Sequence, residues 1–379
     1  MVGWALLADT IPIYPLYALL FVDTGLSGAQ ISALFAIWSA VGVVVEVPTG
    51  ALADRFSRRG NLVAGGILTA TGYAAWVLLP GFPGFALGFV LWGLGSSLVS
   101  GAAEALLYDG LAAAGAREHY ARVNGWVNAA ELVAQLPAAL AATALFALGG
   151  NQLAGWVSVG VALAAAVLAA RLPEPPRDTG PEDDPELGYL ATLRVGVSEA
   201  ASRPAVRGVL VAAMALGAFD AVEEYFPLMV AGWGVPVRWV PIADLPVIAA
   251  GVLGAVLAGR AARLPGAAVA GLLAVSMALF GAAGLLAHPT GIAGVALFYG
   301  GYRAVLVVVD ARLQDRIGSR SRATVTSVAG LGTDVLTFGV YTAWVLGEVP
   351  LIAAVGLGLA AVLPHLLRTG AAAVGGGGG

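Results

Sequence analysis

The chain has 379 residues, of which 59% are hydrophobic and only 42 are charged (19 basic, 23 acidic), or 11%. Soluble domains carry about 25% charged residues, so a water-soluble enzyme is excluded; extended disorder is excluded too, because it needs a chain poor in apolar residues. The net charge of −4 argues against nucleic-acid binding, and all 19 basic residues are Arg, so the absence of Lys and Cys removes a P-loop, a Schiff base, disulfides and thiolate metal sites.

A helix needs about 20 apolar residues to cross a bilayer. The first such stretch, 3–22, carries Asp9 and two prolines but no basic leader or A-x-A site, so it reads as a span rather than a signal peptide. Spans follow at 29–53, 61–80, 84–109, 120–147 and 151–171. Residues 173–206 are expected to form a cytoplasmic linker. Its Pro-rich acidic start is expected to be flexible, and its second part is spaced as an amphipathic surface helix. Six more spans come at 207–231, 237–259, 265–287, 291–314, 323–346 and 349–367, before a Gly-rich tail, 369–379, expected to be disordered. The expectation is an all-α membrane protein of twelve transmembrane helices in two six-helix bundles, 1–172 and 207–368. With the N-terminus inside, seventeen of the Arg fall in inside connections and only Arg238 outside, while Arg303 lies within a span. That bias puts both termini in the cytoplasm. The Arg-only, Ala- and Gly-rich composition suggests a GC-rich prokaryotic genome, and so a multi-pass inner or plasma membrane protein.

The two halves repeat each other. Asp9-x4-Tyr14-Pro15-Leu16 resembles Asp220-x4-Tyr225-Phe226-Pro227-Leu228. Gly50 and Arg59 match Gly254 and Arg263; Glu104 and Asp109 match Asp310 and Asp315; Glu131 falls where Asp334 does. Each match pairs helix n with helix n + 6, which implies a pseudo-two-fold along the membrane normal and a site between bundles near the midplane.

The stretch Gly50-Ala51-Leu52-Ala53-Asp54-Arg55-Phe56-Ser57-Arg58-Arg59 resembles the signature of the major facilitator superfamily between its second and third helices, G-x-L-a-D-r-x-G-r-r, with Ser57 where Gly is usual. The resemblance covers the whole chain and implies that fold, alternating access, and function as a monomer. It also implies that this stretch is a gate. Gly50 allows close helix approach, and Asp54 faces a helix N-terminus. Arg55 completes the motif, and Arg58 or Arg59 pairs with Glu104 or Asp109 at the end of the fourth helix. Drug-exporting members often carry an Arg early in that helix and G-P-x-x-G-G in the fifth. Here LWGLGSSLVSG has no Arg, and Leu136-Pro137-Ala138-Ala139 keeps only the Pro.

Ionisable groups inside a membrane are functional candidates by default. Asp9, Glu46, Glu131, Asp220, Glu223, Glu224, Asp244 and Asp334 lie in spans against the single Arg303. Asp220, Glu223 and Glu224 stand at i, i+3 and i+4, one face of an α-helix. Three carboxylates so close cannot all be ionised in a low-dielectric site, so one holds a proton. The site expected for proton coupling and substrate is therefore Asp220, Glu223, Glu224, Glu131, Asp334, Asp9 and Arg303. Arg303 serves either as counter-ion, with its partner on another helix, or as a substrate anchor. The function expected is proton-coupled, drug-efflux-like antiport of a small cationic or amphipathic compound, with no cofactor and no metal. The alternative is a proton-coupled uptake symporter, including one for an anion held by Arg303. The partners are the small-molecule substrate, protons and the lipid bilayer.

Overall fold

In the computed structural model, residues 1–53, 57–174, 204–317 and 322–368 are described. Among them there is no strand. The α-helices are α1 Val2–Asp9, α2 Tyr17–Asp23, α3 Gly28–Ala53, α4 Arg58–Leu78, α5 Phe82–Ala113, α6 Tyr120–Ala169, α7 Pro204–Ala218, α8 Phe226–Gly232, α9 Val240–Ala261, α10 Gly266–Leu286, α11 Gly291–Arg316 and α12 Arg322–Arg368. They form two compact units. Among the described residues, the first holds those up to Glu174 together with Pro236–Leu245, and the second holds Pro204–Val235 and Pro246–Arg368.

Nine helical segments among the described residues are long and apolar enough to cross a membrane, against the twelve stretches expected. The difference has three physical causes. The fifth and sixth stretches run on as α6, interrupted only at Gly149 (φ −157°, ψ 20°) and Gly150 (φ 62°, ψ −159°). The eleventh and twelfth run on as α12, interrupted at Glu348 (φ 45°, ψ −139°). The seventh is cut into α7, a 3₁₀ segment Phe219–Tyr225 and α8, each too short to span alone.

The two copies of the Asp/Pro repeat are where helices break. α1 ends at Asp9, and a turn with a 3₁₀ segment, Tyr14–Leu16, leads into α2. Pro12 and Pro15 cannot donate to a helical ladder. The other backbone groups freed by a break in apolar surroundings must find partners. In the first unit the Ile13 N–H donates to the Ser158 hydroxyl at 2.9 Å, and that hydroxyl donates to the Ala154 carbonyl. In the second unit the Leu216 carbonyl, just before the 3₁₀ segment, accepts from the Tyr302 hydroxyl at 2.8 Å. Each break is thus plugged by a hydroxyl from a neighbouring helix.

Packing uses small residues and rings. α4 and α5 run antiparallel with glycines seven residues apart on each. A Cβ on Gly65 or Gly95 would lie 2.7 Å from the other's carbonyl oxygen, and Gly72 and Gly88 are paired the same way. Such contact lets two backbones approach closely. Beside it, Tyr17, Phe21, Phe35, Trp76, Phe85 and Phe89 form a buried aromatic core. In the second unit Tyr225 stacks on Trp344, centroids 3.9 Å apart.

Candidate functional site

The second unit gathers charge around the broken helix. Arg303 of α11 reaches Asp220: its Nη1 lies 3.0 Å from Oδ1 and 2.9 Å from Oδ2. The Tyr299 hydroxyl, one turn earlier on α11, donates to Glu223 Oε2 at 2.6 Å and lies 3.3 Å from Asp220 Oδ1. Gly251 of α9 backs the Tyr299 ring, where a Cβ would meet Cε1 at 2.6 Å. The α-helical face expected for the three carboxylates is corrected here. The segment is 3₁₀, with three residues per turn, so Asp220 and Glu223 eclipse and both meet Tyr299. Residue i+4, Glu224, turns about 120° away from Asp220. Tyr299 is not among the site residues expected from the sequence. Its position four residues before Arg303, on the same helix face, was the signal for its role here.

Within the first unit, α1, α4, α5 and α6 bound a cavity of about 510 Å³. Asp9, Glu104 and Glu131 line it together with Tyr14, Trp92 and Asn128. No Arg or His side chain is among its lining residues. Of the two partners expected for Arg58 or Arg59, Glu104 and Asp109, Glu104 stands on this wall instead. Asp334 is half-buried on α12, next to Thr333, whose side chain fills the space at Gly217 of α7.

The α3–α4 connection carries a second cluster. Arg58 pairs with Asp109 and donates to the Ala105 carbonyl at 3.0 Å. Arg59 turns the other way, its Nε 3.8 Å from Glu174. Glu174 also accepts from the Ser57 hydroxyl at 2.6 Å and from the Arg58 N–H at 2.7 Å. Ser57, the departure from the family pattern, needs no glycine: at φ −58° it caps α4, its Oγ accepting from the Gly60 N–H. Glu174 falls in the Pro-rich acidic stretch expected to be a flexible linker. Its place directly after a span, facing an Arg-rich connection, was the available signal. Gly50 lies in the helical backbone of α3, while Asp54 and Arg55 lie outside the described residues.

Burial alone would raise the Glu174 pKa. The Ser57 hydroxyl, the Arg58 and Arg59 amides and the Arg59 charge outweigh it and hold it below its usual value. A depressed carboxylate contributes stability that is present above the unfolded pKa, about 4.3, and is lost as pH falls through the lower folded value. Glu174→Gln is therefore expected to lower unfolding stability at pH 7 by about 1 kcal/mol. The gap between wild type and variant should narrow as pH falls below the unfolded pKa and through the lower folded value. Unfolding in detergent at pH 7 and pH 3.5 checks this; an equal gap at both would refute it.

Two units of apolar helices, broken beside Asp9 in one and Asp220 in the other, define a multi-pass α-helical membrane protein. The chain belongs to the Major Facilitator Superfamily, whose family model matches residues 2–339. It is a transporter rather than an enzyme. The nucleoside transporter NupG is similar in fold, with TM-score 0.76, 15% identity, and coverage of 97% of this chain and 98% of that one. A bacterial homologue of the human lysosomal transporter Spinster, inward-facing and occupied, gives TM-score 0.72 and 17% identity over 97% and 90%. A D-xylose–proton symporter gives 0.67 and 17% over 96% and 94%. No curated protein sequence matches the chain.

Proposed function

We propose that the chain exports a small cationic or amphipathic compound in exchange for protons, by alternating access of two six-helix halves. One observation carries the choice of cation. Arg303, the single basic group placed within the spans, already has its charge met by Asp220. The acids of the sequence motifs are left in excess, and an anion would have to displace Asp220 to reach the guanidinium. Carboxylates that bind either a proton or a cation give exchange by simple competition.

Twelve crossings, with both termini in the cytoplasm of a prokaryotic cell, follow from lengths and charges. The segments Arg117–Ala169 and Val325–Arg368 have 53 and 44 residues. At 1.5 Å per residue they would be ~80 and ~66 Å long, each more than twice a ~30 Å hydrocarbon core. Their breaks at Gly149–Gly150 and Glu348 fall where each would turn back. In this reading Arg58, Asp109, Arg59 and Glu174, with Gly50, Asp54 and Arg55, form the cytoplasmic gate, and the monomer is the working unit. Asp9, Glu131, Asp334 and Glu224 complete the coupling and substrate groups of Asp220, Glu223 and Arg303.

The test is flux in proteoliposomes. An inward proton gradient is expected to drive an organic cation outward, and Asp220→Asn and Glu224→Gln are each expected to abolish that drive. Unchanged flux in both variants would refute proton coupling through this cluster. Solute moving in the same direction as protons would establish the uptake reading instead.

A further inference from the structure

We propose that the cavity bounded by α1, α4, α5 and α6 is a binding site for an organic ammonium ion carrying an aromatic or apolar body. The site lies wholly within the first unit. The inference rests on the cation-export reading and gives it a location.

Size is the first argument. About 510 Å³ is in the range of small-molecule pockets, and it is many times the ~30 Å³ share of one water. Among the described residues, no three acidic or His side chains are grouped closely enough to hold a metal ion. Asp9, Glu104 and Glu131 therefore act by their combined field on a diffuse charge rather than by ligating a point cation. The walls supply the second argument. Tyr14 and Trp92 meet edge to face with centroids 5.7 Å apart, and both line the cavity. An aromatic face attracts an alkylammonium through its quadrupole, most strongly where water is excluded. The third argument is polar. Asn128 and Gln135, on the same wall of α6 as Glu131, offer amide donors and acceptors for a hydroxyl or carbonyl on the ligand. With three carboxylates and no basic side chain on the lining, the net field favours a cation over an anion. The ligand is thus cationic at one end, apolar in its body, and tolerant of a polar substituent.

Equilibrium binding of radiolabelled benzyltrimethylammonium to the full chain in detergent, with no gradient, tests this. Benzenesulfonate serves as the anionic counterpart. Wild type is expected to bind the cation saturably and the sulfonate not at all. Asp9→Asn and Glu131→Gln are each expected to weaken the cation by about tenfold or more. Tyr14→Leu is expected to weaken it, and Tyr14→Phe, which keeps the ring, to restore it. Glu118→Gln, an exposed carboxylate outside the cavity, is expected to change nothing. Monodisperse elution of each variant separates lost binding from lost folding. Absence of cation binding by wild type at millimolar concentration overturns the proposal, as does equal binding by wild type, Asp9→Asn and Glu131→Gln. Binding that follows the expected pattern without pH-driven flux keeps the site and removes the antiport reading. Flux with cavity-independent binding does the reverse.

Discussion

Asp220→Asn and Arg303→Gln are each expected to destabilise the protein by about 2 kcal/mol, and the double variant by less than their sum. Breaking a fully buried pair costs about 3–5 kcal/mol, because the remaining charge is stranded. Here the two side chains are 31% and 37% exposed, so water offsets part of that loss. Tyr299 limits it further for one variant. With Asp220 neutral, Arg303 loses the carboxylate it is paired with, whereas with Arg303 removed Asp220 still has the Tyr299 hydroxyl at 3.3 Å. Asp220→Asn should therefore be the more damaging single change. Removing both charges leaves none stranded, so a favourable coupling of about 1 kcal/mol is expected in the cycle. Thermal or denaturant unfolding of wild type, both single variants and the double variant in detergent measures it. Strict additivity would mean that the contact contributes nothing and that Arg303 is held by other groups.

This pair shows how much could be read beforehand. Arg303 was a lone cation among acids in apolar sequence, which required a partner from another helix. The stretches 3–22 and 207–231, which hold the Asp/Pro repeat, are expected as continuous spans and are broken instead; their prolines, which lack the donor that a continuous ladder needs, were the available signal. The local geometry was not legible. An i, i+3, i+4 pattern aligns three carboxylates only in an α-helix, and nothing local announced that Phe219–Tyr225 would tighten to 3₁₀. Glu104 and Asp109 were equivalent candidates for the Arg of the α3–α4 connection. They are five residues apart, so α-helical rotation carries them to different faces: Asp109 meets Arg58, and Glu104 faces the cavity. Glu174 was hidden by composition, since a Pro-rich acidic run reads as linker even when its first carboxylate caps a helix. Ser57 departs from the motif's usual Gly, and a Ser three residues before the Gly60 amide is itself an N-cap.

The seam between α9 and α11 joins stability to the charged cluster, and Gly254→Ala is the substitution that probes it. A Cβ at residue 254 would lie 1.9 Å from the Gly300 carbonyl oxygen, and one at residue 300 would lie 2.8 Å from the Ala250 oxygen. These neighbours are backbone atoms, so no rotamer change relieves the clash and the helices must separate. Overpacking a close seam costs about 1–3 kcal/mol, occasionally more. With backbone on the facing side, about 3 kcal/mol is expected for Gly254→Ala. Gly259→Ala, where nothing lies within 4 Å, should be neutral or slightly stabilising. Separation would also act on the cluster. Gly251 lies one turn before Gly254 and backs the Tyr299 ring, and a Cβ added at residue 251 would also lie 3.5 Å from Arg303 Cγ. Moving α11 away from α9 withdraws the support that aims Tyr299 at Glu223 and Arg303 at Asp220. Gly254→Ala should therefore lose gradient-driven flux along with stability, and Gly259→Ala should lose neither. Paired measurements of unfolding and proteoliposome flux on both variants check this. A Gly254→Ala protein as stable as wild type would mean that the helices tolerate separation here. Normal flux in a destabilised one would mean that the cluster is positioned from α7 alone.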